Sequence, residues 1–417
     1  MKKIDSQPTA FYKGNISIRG LFLERLGFKL SDKMGYHSLY LTPYNISSSF
    51  KKEIKNVIIN ENQKINKFLN CLDYCTKSSL YMNYKIFKEK YPSDFNYMLE
   101  SYLYPLEKDK IESIFKNYTL NNTDNIWMVK PNIGLSGINI SLLTNFSEIN
   151  LKDYIITKYL YNSHLIKGYK YDLRFHGLVS SIKPLKLYLY NEGLVRLASE
   201  KHNFSASFHQ NKFAFITNLH LNIKNKKKFI YPKNLSNIEN SNLWNLETFQ
   251  NFCSKNNINY DKLYHEVADI FIKAIISVRE KIIEDMEKHK FEISNFYHLI
   301  GFDIILDDNL KPYLLELNRE CGFRNNNDAE KYFTFNIITD TLNIIGIKIN
   351  QTNANQEKKG KLDTLTEHLK ESLCELDRPR GGYELIFPLK KNFKKYKKFY
   401  GENIPEEDKE LWNNLFE

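Results

Sequence analysis

Apolar and polar positions change period several times along the chain. Residues 69–118 carry a mainly helical pattern, and from Trp127 short strand-like runs take over: Trp127-Met-Val-Lys130, Tyr154-Ile-Ile-Thr-Lys-Tyr159 and residues 173–180. Leu185-Lys-Leu-Tyr-Leu-Tyr190 alternates with period two. Joined through Asn191-Glu192-Gly193 to a second run ending at Leu197, it reads as a hairpin. Leu263, Val267, Ile270, Ala274, Val278 and Ile282 recur at spacings of three and four, one apolar stripe along a helix of about five turns expected to cover a sheet. Residues 302–306 and 313–317 flank Asp307-Asp-Asn-Leu310, a turn sequence between two apolar runs, which predicts another hairpin. Nearer the start, residues 11–49 mix short β-like runs with Gly14, Gly20, Gly27 and Gly35, and the polar stretch 51–66 separates them from the helical region beginning at Leu69. The Asn/Lys-rich run from Asn222 reads as a loop, and residues 350–360 are polar, with a last helix expected over 362–374.

Alternating strand and helix patterns without a repeat exclude a solenoid and point to a mixed α/β (α+β) architecture. At about 100–200 residues per domain, 417 residues make two or three domains. A hydrophobic share of 42% with 14% aromatics excludes a disordered chain. No apolar run reaches the length of a spanning helix and no signal core follows Met1, so a soluble, unexported, cytoplasmic protein is the expectation, and a monomer by default of any oligomer signal. Five Cys fit a reducing compartment better than a disulfide framework. The net charge of +11 favours an acidic partner.

The second hairpin concentrates the candidate chemistry. If its turn is centred between Asp308 and Asn309, Asp303 faces Leu314, and Asp303, Glu316 and Asn318 share one face of the sheet. Two carboxylates and an amide suit a hard cation such as Mg²⁺; a solvated polar face is the other reading of the same three positions. Upstream, Lys130-Pro-Asn-Ile-Gly-Leu-Ser-Gly-Ile138 places a lysine at a strand end before a loop with Gly134 and Gly137. Such a loop can direct N–H groups at phosphates, or it can be a simple turn.

The run from Lys158 to Lys201 makes the pattern specific, together with Gly301-Phe-Asp-Ile-Ile-Leu-Asp307 and Leu310-Lys-Pro-Tyr-Leu-Leu-Glu-Leu-Asn318. The chain resembles the tubulin tyrosine ligase-like family, ATP-grasp enzymes that join an amino acid to a protein carboxylate. Ile65-Asn66 with Thr76-Lys77, Tyr104-Pro105, Thr217-Asn218 and Gly381-Gly-Tyr-Glu-Leu-Ile-Phe-Pro388 fall in the family's order, so the likeness runs from about Phe11 to Pro388. It implies an ATP-grasp fold divided into a small N-terminal α/β domain (1–65), a central domain (66–170) and a C-terminal catalytic domain (171–390), with a basic tail (391–417) after it. It also implies ATP and Mg²⁺ as cofactors, with Asp303, Glu316 and Asn318 as metal ligands. Lys130 and Lys77 would contact phosphates, with Gly134 and Gly137 in the covering loop. Lys158, Tyr159 and Leu160 would hold the adenine. Arg174 and Arg196 would be the substrate arginines; the commoner fate of an arginine, a surface ion pair, is the alternative.

The implied chemistry is formation of an acyl-phosphate on the acceptor, then displacement of phosphate by an amine. Val179-Ser-Ser-Ile-Lys-Pro-Leu-Lys186 resembles the polyglutamylase branch, favouring glutamate on tubulin or another acidic tail. Tyrosine ligation, a non-tubulin acceptor, or a silent basic module for acidic tails or nucleic acid are the alternatives, nucleic acid being disfavoured. Three departures stand out: Thr157 replaces a longer amide, the glycine loop is short and lacks an arginine, and Arg319-Glu-Cys-Gly-Phe323 replaces small residues. Cys71 and Cys75 are expected to be buried thiols, not zinc ligands. Lys390, Lys391, Lys394, Lys395, Lys397 and Lys398, interleaved with Phe393, Tyr396 and Phe399, read either as a grip for an acidic polypeptide or as a solvated face.

Overall fold

The computed structural model describes residues 7–12, 18–42, 48–58, 62–116, 126–132, 139–143, 154–203, 211–232, 235–347, 366–401 and 404–416. Three sheets organise them. The first is parallel, in the order Lys29–Ser31, Thr9–Tyr12, Leu39–Leu41, Lys64–Ile65. The polar stretch 51–66 therefore contributes structure: helix Ser48–Lys55 buries Phe50 and Ile54, and Lys64–Ile65 is a strand of that sheet. The smallest antiparallel sheet runs Ser101–Tyr104, Tyr154–Lys158, Trp127–Pro131, Ser141–Leu143.

The large sheet is built on the 14-residue strand Tyr169–Ile182. Its side chains alternate between a charged face with Lys170, Asp172 and Arg174 and an apolar face with Leu173 and Phe175. One edge pairs with Leu185–Tyr190 and then with Leu194–Leu197; the other pairs with His298–Leu306, which carries Pro312–Asn318 beyond it. The expected hairpin between residues 185 and 197 is thus not formed. The two segments continue along the same edge of the central strand, and the turn lies at Lys183-Pro184 instead. Asn191-Glu192-Gly193 is a kink in one returning strand. Gly193 is required there because a Cβ would sit 2.3 Å from the Arg174 carbonyl oxygen.

The second hairpin forms with a different register. Asp303 pairs with Glu316 and Gly301 with Asn318, while beyond Leu315 Ile304 pairs with Leu314. A bulge at Leu315 absorbs the difference. Shifting a pairing by one residue turns a strand's side chains to the other face, and the extra residue restores the parity, so Asp303, Glu316 and Asn318 still share a face.

Helix Tyr260–Lys288 covers the apolar face and is longer than the stripe suggested, because burial continues to Met286. Asn259 caps it by accepting from Lys262 N at 2.9 Å. Phe271 stacks on Phe302 at 4.8 Å, and a Cβ at Gly177 would fall 2.3 Å from the Phe271 ring. The chain end packs on this helix too. Tyr396, Phe399, Tyr400 and Trp412 are buried, Arg279 pairs with Asp408, and Asp408 Oδ1 accepts from Leu185 N at 3.0 Å. Lys395 meets Asp269 at 2.5 Å and Lys398 meets Asp94 at 2.7 Å. Of the aromatic residues of the basic run Tyr396 and Phe399 are core and Phe393 is half-buried against it, while the lysines are exposed. No helix among the described residues is long and apolar enough to cross a membrane.

Candidate active site

The charged face of the large sheet is a cross-strand array. Arg174 lies opposite Asp303, which lies opposite Glu316; two residues along, Asp172 lies opposite Arg196. Both oxygens of Asp303 are engaged: Arg174 Nε bonds Oδ1, Arg174 Nη2 bonds Oδ2 at 2.9 Å, and Arg196 Nη2 reaches Oδ2 at 2.6 Å. Arg196 Nε donates to Asp172 Oδ1 at 2.6 Å, and Thr217 Oγ1 donates to Asp172 Oδ2. These groups are buried, and two arginines against two aspartates leave the array neutral. Burial alone would raise the Asp303 pKa, but Arg174 and Arg196 hold it well below the usual carboxylate range.

Glu316 is held more loosely. Its Oε2 is 3.7 Å from Lys77 Nζ and its Oε1 4.0 Å from Arg174 Nη2, with the side chain 30% exposed. The Asn318 Nδ2 is buried with no partner among the described residues; as an N–H donor it cannot ligate a cation, so any metal contact from Asn318 falls to its Oδ1. The loosely held Glu316 carboxylate, the Asn318 amide oxygen and the remaining lone pair on Asp303 Oδ1 make an oxygen-only donor set of the kind a hard divalent cation takes. Among the described residues no three His, Cys, Asp or Glu side chains converge as a metal cluster, so this set depends on the amide.

These residues form one wall of a cavity of about 410 Å³, which Lys77, Lys130, Lys158, Tyr159, Leu160, Arg174, Arg196, Asp303, Glu316 and Asn318 all line. Lys77 begins helix Lys77–Lys90, whose cap Thr76 accepts from Ser79 N at 3.3 Å. Lys130 sits near the end of strand Trp127–Pro131. Burial, and then the neighbouring charge of Lys77, push the Lys130 ammonium down to about 8. Two lysines that repel each other at a cavity wall invite an anion between them. Gly134 and Gly137, assigned to the covering loop, lie outside the described residues.

Strand Tyr154–Lys158 leads into Tyr159, whose N–H bonds the Ile126 carbonyl at 2.7 Å. Lys170 Nζ donates to the Leu160 carbonyl at 2.6 Å and lies 4.0 Å from the Tyr159 ring centroid. Burial drives the Lys170 pKa well below the lysine range, with the Lys130 charge adding to it. The Thr157 hydroxyl is used inside the sheet, accepting from Ser101 Oγ at 3.1 Å. Past Asn318, Glu320 is tied by Arg19 at 3.1 Å and by Lys67, while the Cys321 carbonyl accepts from Arg174 Nη1 at 3.3 Å.

Sequence reasoning missed Lys170, Asp172 and Thr217 as members of this cavity. The period-two series Lys170, Asp172, Arg174 was a usable signal, since a strand puts all three on one face. Thr217 stood in the Thr217-Asn218 motif of the resemblance, but its role did not follow from it, because its pairing with Asp172 depends on the tertiary approach of residues 211–222.

Residues 55–359 match the model of the tubulin-tyrosine ligase family. Relatives include tubulin monoglutamylase TTLL4 of Mus musculus, 29% identical over 291 residues (69% of this chain, 24% of the relative). Tubulin polyglutamylase TTLL7 of Xenopus tropicalis is 26% identical over 306 residues (71% and 33%), and tubulin polyglutamylase TTLL6 of Homo sapiens is 25% identical over 404 residues (91% and 43%). The chain thus spans less than half the length of each of these relatives. With a family match across most of its length and the large sheet in place, the chain belongs to the tubulin-tyrosine ligase family and has its ATP-grasp fold.

Proposed function

We propose that the chain is an ATP-dependent ligase that joins an amino acid, glutamate before others, to a carboxylate of an acidic protein acceptor such as a tubulin tail. The observation that carries this reading is a single cavity lined by both phosphate-type lysines, Lys77 and Lys130, and the Arg/Asp/Glu/Asn array of the large sheet. The names of the relatives and the net charge of +11 support the donor and the acceptor class.

In this reading Lys158, Tyr159 and Leu160 take the adenine, with Lys170 fixing the Leu160 carbonyl beside it. Lys77 and Lys130 hold the phosphates. Asp303, Glu316 and Asn318 hold Mg²⁺, which when bound supplies charge neutralisation on the transferring phosphoryl group. Arg174 and Arg196 hold the acceptor or donor carboxylate next to it, and Asp172 fixes the orientation of Arg196. An acceptor carboxylate oxygen takes the γ-phosphoryl group and ADP leaves. The donor amine, having lost a proton, then attacks the acyl carbon and phosphate departs, leaving an amide. Pre-positioned cations at the transferring group lower the barrier without a covalent enzyme intermediate. The protein acts as a monomer in a cytoplasmic, reducing setting, where its five free thiols persist.

Phosphate release tests the reading: it should require ATP, an acidic acceptor and an amino acid together. Release that ignores the amino acid or the acceptor would count against a ligase.

A further inference from the structure

Arg174 and Arg196 have their counter-ions, Asp303 and Asp172, inside the cavity lining, so their charge is largely met before any substrate arrives. Arg324 also lines the cavity, but its partners stand behind it. Its Nε donates to Glu330 Oε1 at 2.9 Å and its Nη2 to Tyr231 Oη at 3.1 Å, and neither Glu330 nor Tyr231 is among the described lining residues. Among the described residues no partner is bonded to Nη1. The backbone is fixed as well, the Arg324 carbonyl accepting from Thr334 Oγ1 at 2.9 Å. The guanidinium is therefore pre-positioned, 18% exposed, with one N–H edge uncommitted.

Its place in the cavity is the Arg174 end. The same loop gives the Cys321 carbonyl to Arg174 Nη1, and a Cβ at Gly322 would lie 3.4 Å from that nitrogen. The neighbouring acid, Glu320, is neutralised by Arg19 and Lys67, which stand outside the lining. An arginine held from behind with a free edge suits a carboxylate, because a charge-assisted N–H bond to an anion is stronger than a neutral one.

Building on the ligase reading, we propose that Arg324 is a specificity-determining residue that binds a substrate carboxylate not engaged in the chemistry. Two sources share that chemistry: the side chain of a free acidic amino acid, and a flanking acid of the acceptor tail. The selectivity for acidic substrates then resides in the loop after Asn318.

Calorimetric titration of the full chain and of R324Q and R324K with L-glutamate, L-alanine and a glutamate-rich peptide, each with a non-hydrolysable ATP analogue present, tests this. R324Q should weaken one acidic probe by about 10- to 100-fold, the worth of a charge-assisted hydrogen bond. R324K should recover part of the loss, and affinity for the ATP analogue should stay at the parent value, which also shows that the variants are folded. A loss confined to L-glutamate assigns the donor carboxylate, and a loss confined to the peptide assigns the acceptor. Unchanged binding of both, an equal loss of the ATP analogue, or a parent that binds neither acidic probe would overturn the proposal. A parent that binds L-glutamate yet forms no amide would count against the ligase reading and leave the Arg324 comparison standing.

Discussion

Asp303 and Glu316 face each other across one hairpin, yet loss of charge should cost stability at the first and not at the second. Asp303 is 2% exposed and accepts from two guanidinium groups. In D303N an amide keeps one acceptor oxygen and no charge, and Asp172 is the one buried carboxylate left against Arg174 and Arg196, with Glu316 4.0 Å from Arg174. Removing one partner from a buried ion network costs about 3–5 kcal/mol. Glu316 is 30% exposed with its cations at 3.7 and 4.0 Å, so E316Q should cost less than about 1 kcal/mol, the range of a solvent-screened pair. Urea denaturation at neutral pH measures both, and ligation rates complete the comparison. E316Q should fold as the parent does and lose turnover, while D303N should lose both. The sign of the shift sets the pH dependence. The folded pKa of Asp303 lies below its unfolded value of about 3.9, so its contribution is complete above that value and is lost as pH falls through the folded pKa. The D303N penalty should therefore shrink in acid. Equal stability losses in the two variants, or near-parent turnover in E316Q, would refute this division of labour.

Other outcomes rest on single contacts. G193A places a Cβ 2.3 Å from the Arg174 carbonyl oxygen and 3.1 Å from Leu246 Cδ1, so it should destabilise by about 1–3 kcal/mol and reduce turnover through the displaced strand that carries Arg196; a neutral effect in denaturation and activity would show the kink to be pliable. Lys130, pushed down to about 8, loses its cationic form as pH rises through that value, so nucleotide affinity by calorimetry should fall above it. K77M should move the inflection upward by removing a like charge, and a profile flat through about pH 8 would contradict the assignment. W412A should cost about 3–5 kcal/mol because the indole is buried against Tyr400 and Phe393; a loss below about 1 kcal/mol would show that the chain end is not core. Replacing Lys390, Lys391, Lys394 and Lys397 by Gln should raise KM for a protein acceptor and flatten its salt dependence without changing the melting temperature, and unchanged kinetics would leave these lysines as a solvated face.

Local periodicity made much of this molecule legible. Strand Tyr154–Lys158, the hairpin bearing Asp303 and Glu316 and the helix from Tyr260 were all readable from spacing, because each buries one regular face. Where reading failed, the cause was tertiary. Asn191-Glu192-Gly193 carries turn residues, but the central strand offers one unbroken edge, and the segment kinks along it instead of reversing. The register of the second hairpin was misread because the bulge at Leu315 leaves no composition signal; the shared face survived since bulge and shift cancel in parity. The basic run after Leu389 looked like a tail, yet its aromatic positions meet the helix from Tyr260, a contact more than a hundred residues distant in sequence. Arg324 was invisible for the same reason: its partners Glu330 and Tyr231 converge only in the fold.

Intact-mass analysis of an acidic acceptor, tubulin or a glutamate-rich tail peptide, after incubation with the protein, ATP, Mg²⁺ and single amino acids tests ligation most directly. The expected result is an increment of one or more glutamyl residues, dependent on ATP and absent with E316Q. No increment with any amino acid, or an increment that persists without ATP, would contradict it.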